Sequence, residues 1–538
     1  VLAIDAVIFG LAHVAVHHGA VAYRGLLPPE THLVSIIVGL ALLTLVPRLL
    51  RGTRTAGSVV ALGIGVLAGL SAVSGDWWRV AVQLTLCLLL LRARGAFPLG
   101  CRNRPRRTYA AAALGAWIVA YGALRIAPLV HVHLRHIVPA LHHATVASRL
   151  SAEWLSAIEI LIGCAALISV LALRSVMRPQ AADNAHADHE YRAARAIVER
   201  YGQDSLSPFV LRPDKALQFA AGGVLSYRVI GGTAIISADP VAPGGAAAEV
   251  LASFLPVARA RGWQVALWGA SARHLEDYRR LGLHAICVGE EAFVDPARFT
   301  LEGRPVRKLR QSVHRVARRG WEITVCEGRT IDLELERELE ALEARWREEH
   351  PEVLGFAMSM GAFHSELRPD DLYAIARGPD GQLGAVMRFM SHCGKLSLDT
   401  MRRVGTTPNG LNEALVAHTL ERARERGVPE VSLNYAGLAH VLRAPAPRNP
   451  VRRAGRGVTV AVLRRRFQMD RLIRFNDKFS PEWRPRYLIY ESRPALPRSI
   501  ARVLQAEGYL PELRRRRLVG PRASIPRSLT GGAHPKTG

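Results

Sequence analysis

The residues best suited to chemistry lie in the second half of the chain. Asp399 stands near the end of the strand-like run Lys395 to Met401, where a sheet of this type opens its cleft. It suits a general base or a ligand for an ammonium group; closing a turn at the strand end is the alternative. Glu290 and Glu291 follow Gly289 at an expected kink and suit an ammonium ligand, or a local ion pair with Arg310. Asp239 precedes a helical run, and a short carboxylate there suits capping. Lys478 and Arg486 flank Trp483, a point charge and a bidentate fork for phosphate, or else a packing latch for the last strand. Asn434 and Asn476 are polar liners, and Arg402 opens a loop before a helix.

Metal chemistry has less support. His131, His133, His136, His142 and His143 fall in one loop with no carboxylate interleaved, so a polar loop or interfacial helix is favoured over a metal site. The six cysteines are scattered with no CxxC, which excludes both a zinc spacing and a disulfide framework. A formal net charge of +26, mostly arginine, favours anionic partners such as nucleic acid or phospholipid headgroups.

The elements that must position these residues read as α/β. Lys395 to Met401 is a strand, the loop RRVGTTPN follows, and Thr407 is expected to cap a helix with Pro408 at its first position. Leu411, Ala414, Leu415 and His418 recur at helical spacing, Gly427 ends the helix, and Val431 to Tyr435 is the next strand. Upstream, strands at 222–230 and 233–238 joined by Gly231-Gly232, a helix at 246–261, a strand at 264–268, a helix at 272–281 and a strand at 283–294 repeat the same order. Two similar units in tandem follow, at 191–326 and 327–495, with a basic tail at 496–538. Arg304 to Arg319 predicts a helix with Val306, Leu309, Val313 and Val316 on one side and cations on the other, suited to RNA phosphates or an anionic bilayer.

Residues 1–178 carry apolar runs near 2–23, 31–47, 56–74, 77–91, 108–130 and 152–173, which predict a transmembrane domain of about six helices. Arginines concentrate in the second and fourth loops, so the N-terminus and everything beyond the 179–190 linker are expected inside the cell.

The strand–loop–helix–strand order around Arg402-Arg403-Val404-Gly405-Thr406-Thr407 resembles the core of the GCN5-related acyltransferase fold. More specifically, four blocks resemble the phosphatidylglycerol lysyltransferase family of lipid aminoacylases. They are Ser237-Ala238-Asp239-Pro240; Gly289-Glu290-Glu291-Ala292 with Asp295, Phe299, Gly303 and Leu309-Arg310; Leu398-Asp399 with Met401-Arg402; and Phe475-Asn476-Asp477-Lys478-Phe479-Ser480-Pro481 with Trp483 and Pro485-Arg486-Tyr487-Leu488. The resemblance implies two tandem acyltransferase-like units sharing a cleft. It implies transfer of an amino acid, lysine foremost, from aminoacyl-tRNA to a glycerol hydroxyl of phosphatidylglycerol at the cell membrane, an activity tied to antimicrobial peptide resistance. Asp399, Lys478 and Arg486 then become the expected catalytic residues. Asp239, Glu290, Glu291, Arg310, Arg402, Asn434, Asn476 and Trp483 become the expected substrate ligands. The donor is an activated ester, so no cofactor and no metal is expected. A CoA-dependent acyltransferase and a non-enzymatic lipid carrier or membrane scaffold are the competing readings.

Overall fold

The computed structural model describes residues 54–73, 77–92, 187–350, 368–437 and 469–510, with positions 45, 165, 168, 169 and 356 besides. The six-helix expectation falls largely outside these residues. Two of its apolar runs are helices, Arg54–Val73 and Trp77–Arg92. They pack together, with Cys87 Sγ 3.3 Å from the carbonyl of Ala61. Among the described residues no helix is long and apolar enough to cross a membrane.

The remainder is built on one eleven-stranded sheet. The strands are β1 (Ala216–Ala220), β2 (Gly223–Ile230), β3 (Thr233–Ser237), β4 (Gln264–Ala270), β5 (His284–Val294), β6 (Glu322–Glu327), β7 (Leu372–Arg377), β8 (Leu383–His392), β9 (Lys395–Arg403), β10 (Val431–Gly437) and β11 (Glu482–Tyr490). Both central glycines of the β2–β3 hairpin have positive φ, 56° and 79°, as a type I′ turn requires.

The spatial order is β1-β2-β3-β4-β11-β5-β10-β9-β8-β7-β6. Only β3–β4 and β9–β10 are parallel, each bridged by a helix: Ala247–Ala260 in the first case, Leu411–Glu425 in the second. The arrangement is nearly symmetric about the β5–β11 seam. β11 of the second unit is inserted into the first, between β4 and β5, and β5 of the first into the second, between β10 and β11; β6, which the expected bounds put in the first unit, pairs with β7 at the edge of the second. The two expected units therefore interlock in one sheet.

Apolar burial follows this order. Helix Leu411–Glu425 buries residues on every side, among them Leu411, Leu415, Val416 and Leu420. It is packed between the sheet and helix Arg307–Arg318, whose Leu309 and Val316 join the same core. Helix Leu333–Glu349 covers the other face of that unit through Leu339 and Leu342. In the first unit, helix Ala247–Ala260 supplies Val250, Leu251 and Phe254 to one face, and helix Leu496–Ala506 lays Val503 and Ala506 on the other.

One helix start differs from expectation. The helix begins at Leu411 behind Gly410, not at Thr407-Pro408. Gly410 takes φ 97°, and a Cβ there would come within 2.7 Å of the Ser312 side chain. Close approach of two helices thus sets this terminus.

Candidate active site

Two cavities adjoin along the β5–β11 seam. The first, about 660 Å³, is walled by Tyr201–Ser207, the Asp239–Gly245 loop, Ser271–His274 and residues of β11. The second, about 600 Å³, is walled by Phe293–Thr300, Pro305-Val306 and Phe479–Glu482. Phe293, Glu430 and Arg484 line both and form the partition. Arg484 lies over the Phe293 ring at 4.2 Å and pairs with Glu430 and Glu482. Lys395 reaches the same Glu430 at 2.9 Å.

Arg486 forms the back of the first cavity. Its guanidinium donates to Asp204 Oδ2 at 2.8 Å, Ser205 Oγ at 2.7 Å, Glu291 Oε2 at 2.6 Å and the Gly269 carbonyl at 3.3 Å. The side chain is 3% exposed, so the expected phosphate fork is corrected: its donors are spent on the protein. Glu291 is fully buried between Arg486 and the Ser432 hydroxyl and is likewise no ammonium ligand.

Two carboxylates face this cavity with opposite tendencies. Burial alone would raise Asp204, but the charge and hydrogen bond of Arg486 outweigh it and hold the carboxyl below its usual range. Asp239 is pushed up, first by burial and then by the charge of Asp204. Its expected role as a helix cap is corrected, because its oxygens accept from the Ser271 amide at 2.9 Å and the Tyr278 hydroxyl at 2.8 Å. Neighbouring carboxyls pushed apart in this way suit one permanent anion and one proton carrier. Arg273, His274, Lys395 and Arg484 complete the lining with groups that can carry positive charge.

The other expected residues line neither cavity. Asp399 is buried on β9 with Oδ2 3.1 Å from Arg388 Nε, and Asp371 lies 3.6 Å from the same nitrogen. Arg402 is held by Glu343 at 2.9 Å and lies 3.8 Å over the Trp346 ring. Arg310 donates to the carbonyls of Leu301 and Gly303, which replaces the expected pair with Glu290. Glu290 is half-buried on β5, facing Pro485 and Ala436 in register. Lys478 pairs with Glu413, and Trp483 Nε1 donates to Asp477 at 3.1 Å, so these two and Arg486 do not converge on one phosphate. Asn434 sits at φ 76° in the β10 bulge and donates to the Leu398 carbonyl at 3.3 Å. Asn476 is fully buried, and neither of its amide atoms has a hydrogen-bond partner among the described residues.

Of the residues singled out in the sequence, then, Asp239 and Arg486 meet at a cavity. Asp204, Lys395, Glu430 and Arg484 were missed. One signal was available for Arg484: it lies two residues from Arg486 on a strand and so shares its face.

Comparison with known proteins gives a consistent family. A family profile described as phosphatidylglycerol lysyltransferase, C-terminal, matches residues 195–490. The lysylphosphatidylglycerol biosynthesis bifunctional protein LysX of Mycobacterium marinum is 33% identical over 393 residues, covering 71% of this chain and 35% of its own length. The protein of the same name from Nocardia farcinica is 32% identical over 386 residues, covering 70% and 34%. The chain thus spans about a third of the length of these curated relatives. Among solved structures, a C-terminal domain of the DUF2156 type from Agrobacterium fabrum superposes with a TM-score of 0.51 at 27% identity, over 60% of this chain and 99% of that one. The structure of L-PGS from Bacillus licheniformis gives 0.50 at 22%, over 61% and 99%, a likeness of fold.

Proposed function

The chain belongs to the phosphatidylglycerol lysyltransferase C-terminal family, and from that premise we propose that it transfers an amino acid from aminoacyl-tRNA to a glycerol hydroxyl of phosphatidylglycerol at a membrane surface. The observation that carries this reading is the first cavity, where Asp204 and Asp239 face cationic walls. A lysyl ester brings two ammonium groups, and the permanent anion Asp204 suits one of them. Arg273, which bonds the neutral Gln203, suits the phosphodiester of the acceptor.

The reaction is a transesterification. The glycerol oxygen attacks the ester carbonyl carbon, and its proton passes to the raised carboxylate Asp239, which Tyr278 and the Ser271 amide hold in place. Collapse of the tetrahedral centre breaks the bond to the ribose oxygen, which takes the proton back. Asp204, kept ionised by Arg486, holds the substrate ammonium through both steps. The basis for choosing Asp239 over Asp399 is position: the former lines the cavity, the latter is committed to Arg388.

The test is mass spectrometry of total lipids from cells with and without the full chain. Lysylphosphatidylglycerol is expected only with it. A well-expressed chain that yields no aminoacylated lipid rejects the reading, and acyl transfer from CoA in its place supports the competing one.

A further inference from the structure

The loop that carries Asp204 brings two further side chains to the first cavity. It leaves helix Asp188–Tyr201 and runs Tyr201-Gly202-Gln203-Asp204, and all but Gly202 line the cavity. The loop is fixed at both ends. The Gly202 amide donates to the Val198 carbonyl at 2.8 Å, and a Cβ there would come within 2.4 Å of that oxygen. Asp204 accepts from the Leu206 amide at 2.9 Å and from Arg486 at 2.8 Å. Tyr201 and Asp204 therefore keep a set separation, at most about 10–11 Å for three residues of chain.

Among the described residues three aromatic rings line this cavity, and two are committed. Phe293 lies under Arg484 at 4.2 Å. His274 has Nδ1 3.8 Å from Asp277 and its ring centroid 6.1 Å from that of Tyr278. Tyr201 is the third. It is half-buried, packs in part against the buried cluster around Val198 and Phe209, and carries the exposed Arg200 guanidinium 5.4 Å over its ring. Gln203 is exposed beside it. Its Oε1 accepts from Arg273 at 3.0 Å, which leaves the amide nitrogen to donate.

We infer that Tyr201 and Gln203 form the subsite for the nucleobase at the end of the donor, Tyr201 as the stacking platform and Gln203 as a hydrogen-bond donor to a ring nitrogen. The inference rests on the proposed use of an RNA-borne lysyl ester, whose amino acid is carried on the ribose of a terminal adenosine. An unpaired base at an RNA end is held in this way, by a ring on its face and polar groups on its edge. Here the base takes the place of the Arg200 guanidinium over Tyr201. The order of the loop matches the order of the donor. Base, ribose, ester and ammonium follow one another in the molecule; platform, base reader and ammonium ligand follow one another from Tyr201 to Asp204. At about 660 Å³ the first cavity has the size of a site for such a ligand, so base recognition and acyl transfer share it.

The experiment is isothermal titration calorimetry of the full chain in detergent with two probes. One is lysinamide; the other is adenosine bearing lysine through a 3′-amide in place of the labile ester. The adenosine conjugate is expected to bind the tighter. Tyr201→Ala is expected to weaken it by roughly 5–150-fold, the range for loss of one base–aromatic stack, and Tyr201→Phe to keep it. Gln203→Ala is expected to weaken it by roughly 2–10-fold. Lysinamide affinity is expected to hold in all three variants, which checks that Asp204 and the fold are intact.

A conjugate that binds the wild type no tighter than lysinamide overturns the inference. So does wild-type affinity for the conjugate in Tyr201→Ala. Affinity that depends on Tyr201, in a chain that forms no aminoacylated lipid, sustains the inference and rejects the proposed reaction. Lipid product formed by Tyr201→Ala from lysyl-tRNA at the wild-type KM rejects the inference and leaves the reaction standing.

Discussion

Arg486→Met removes the cation that Asp204 and Glu291 share at the sheet's seam. Glu291 is fully buried, so its charge is left without compensation; Asp204 keeps 23% of its side chain exposed and can recover some hydration. Breaking a buried pair in this way costs about 3–5 kcal/mol. A body of this size unfolds in urea with an m-value of roughly 3 kcal/mol per molar, so the midpoint falls by about 1–1.7 M. Tryptophan fluorescence reports it, since Trp268 on β4 and Trp483 on β11 both adjoin the seam. Adding Glu291→Gln neutralises the stranded acid and is expected to restore about 1–3 kcal/mol, a coupling typical of contacting residues. Asp204 supplies a second signature. Its carboxyl is depressed in the folded state, so its contribution is present above the unfolded value near 3.8 and is lost as pH falls through the folded one. The methionine variant loses that acid-dependent increment. A midpoint lower by less than about 0.3 M, or a double variant no more stable than the single, refutes the account of Arg486 as the compensating charge.

Other consequences are as specific. Asp239→Asn is expected to lower kcat by about 10²–10⁴-fold with the fold intact, whereas Asp399→Asn, beside Arg388, is expected to lower the urea midpoint; comparing turnover and midpoint for both separates the roles. His392 is 5% exposed, and burial pushes its imidazole down to about 4 despite the nearby charge of Asp204. Its contribution is full above pH 6.5 and lost as pH falls to about 4, up to roughly 3 kcal/mol at about 1.36 kcal/mol per pH unit. His392→Leu should flatten the midpoint-against-pH curve over that window. Asp371, raised to about 6 by burial, works the other way and gains stability for the fold below that pH, so the difference between the two curves is the quantity to read. Leu415→Ala, in a fully buried position of the central helix, should cost about 2–5 kcal/mol in chemical denaturation.

Local pattern accounts for most of the element order. Alternation and the Gly231-Gly232 pair mark the β2–β3 hairpin, and the apolar spacing from Leu411 to Leu420 marks the central helix. The exchange of β5 and β11 has no local signature, because β11 pairs with partners about two hundred residues away and each strand alone reads as the end of its own unit. The site fails to show for the same reason. Arg486 bonds Asp204 across 282 positions, and no spacing rule links a loop aspartate to a strand arginine so distant. Asp399 looked catalytic as a strand-end acid, but it sits at the irregularity where the β8–β9 register shifts, between the Arg388–Thr400 and Phe389–Leu398 pairs, and there it meets Arg388.

The interlocked seam also dictates when the chain can become a protein at all. β5 ends at Val294, yet its partner β11 closes only at Tyr490. At about 5–20 residues per second a ribosome needs roughly 10–40 s to deliver the missing strand. Through that interval the nascent chain carries bare edges on both β4 and β5, open to any stray strand. Chaperone cover during synthesis, and intolerance of early stop codons well short of the last strand, follow from the weave itself.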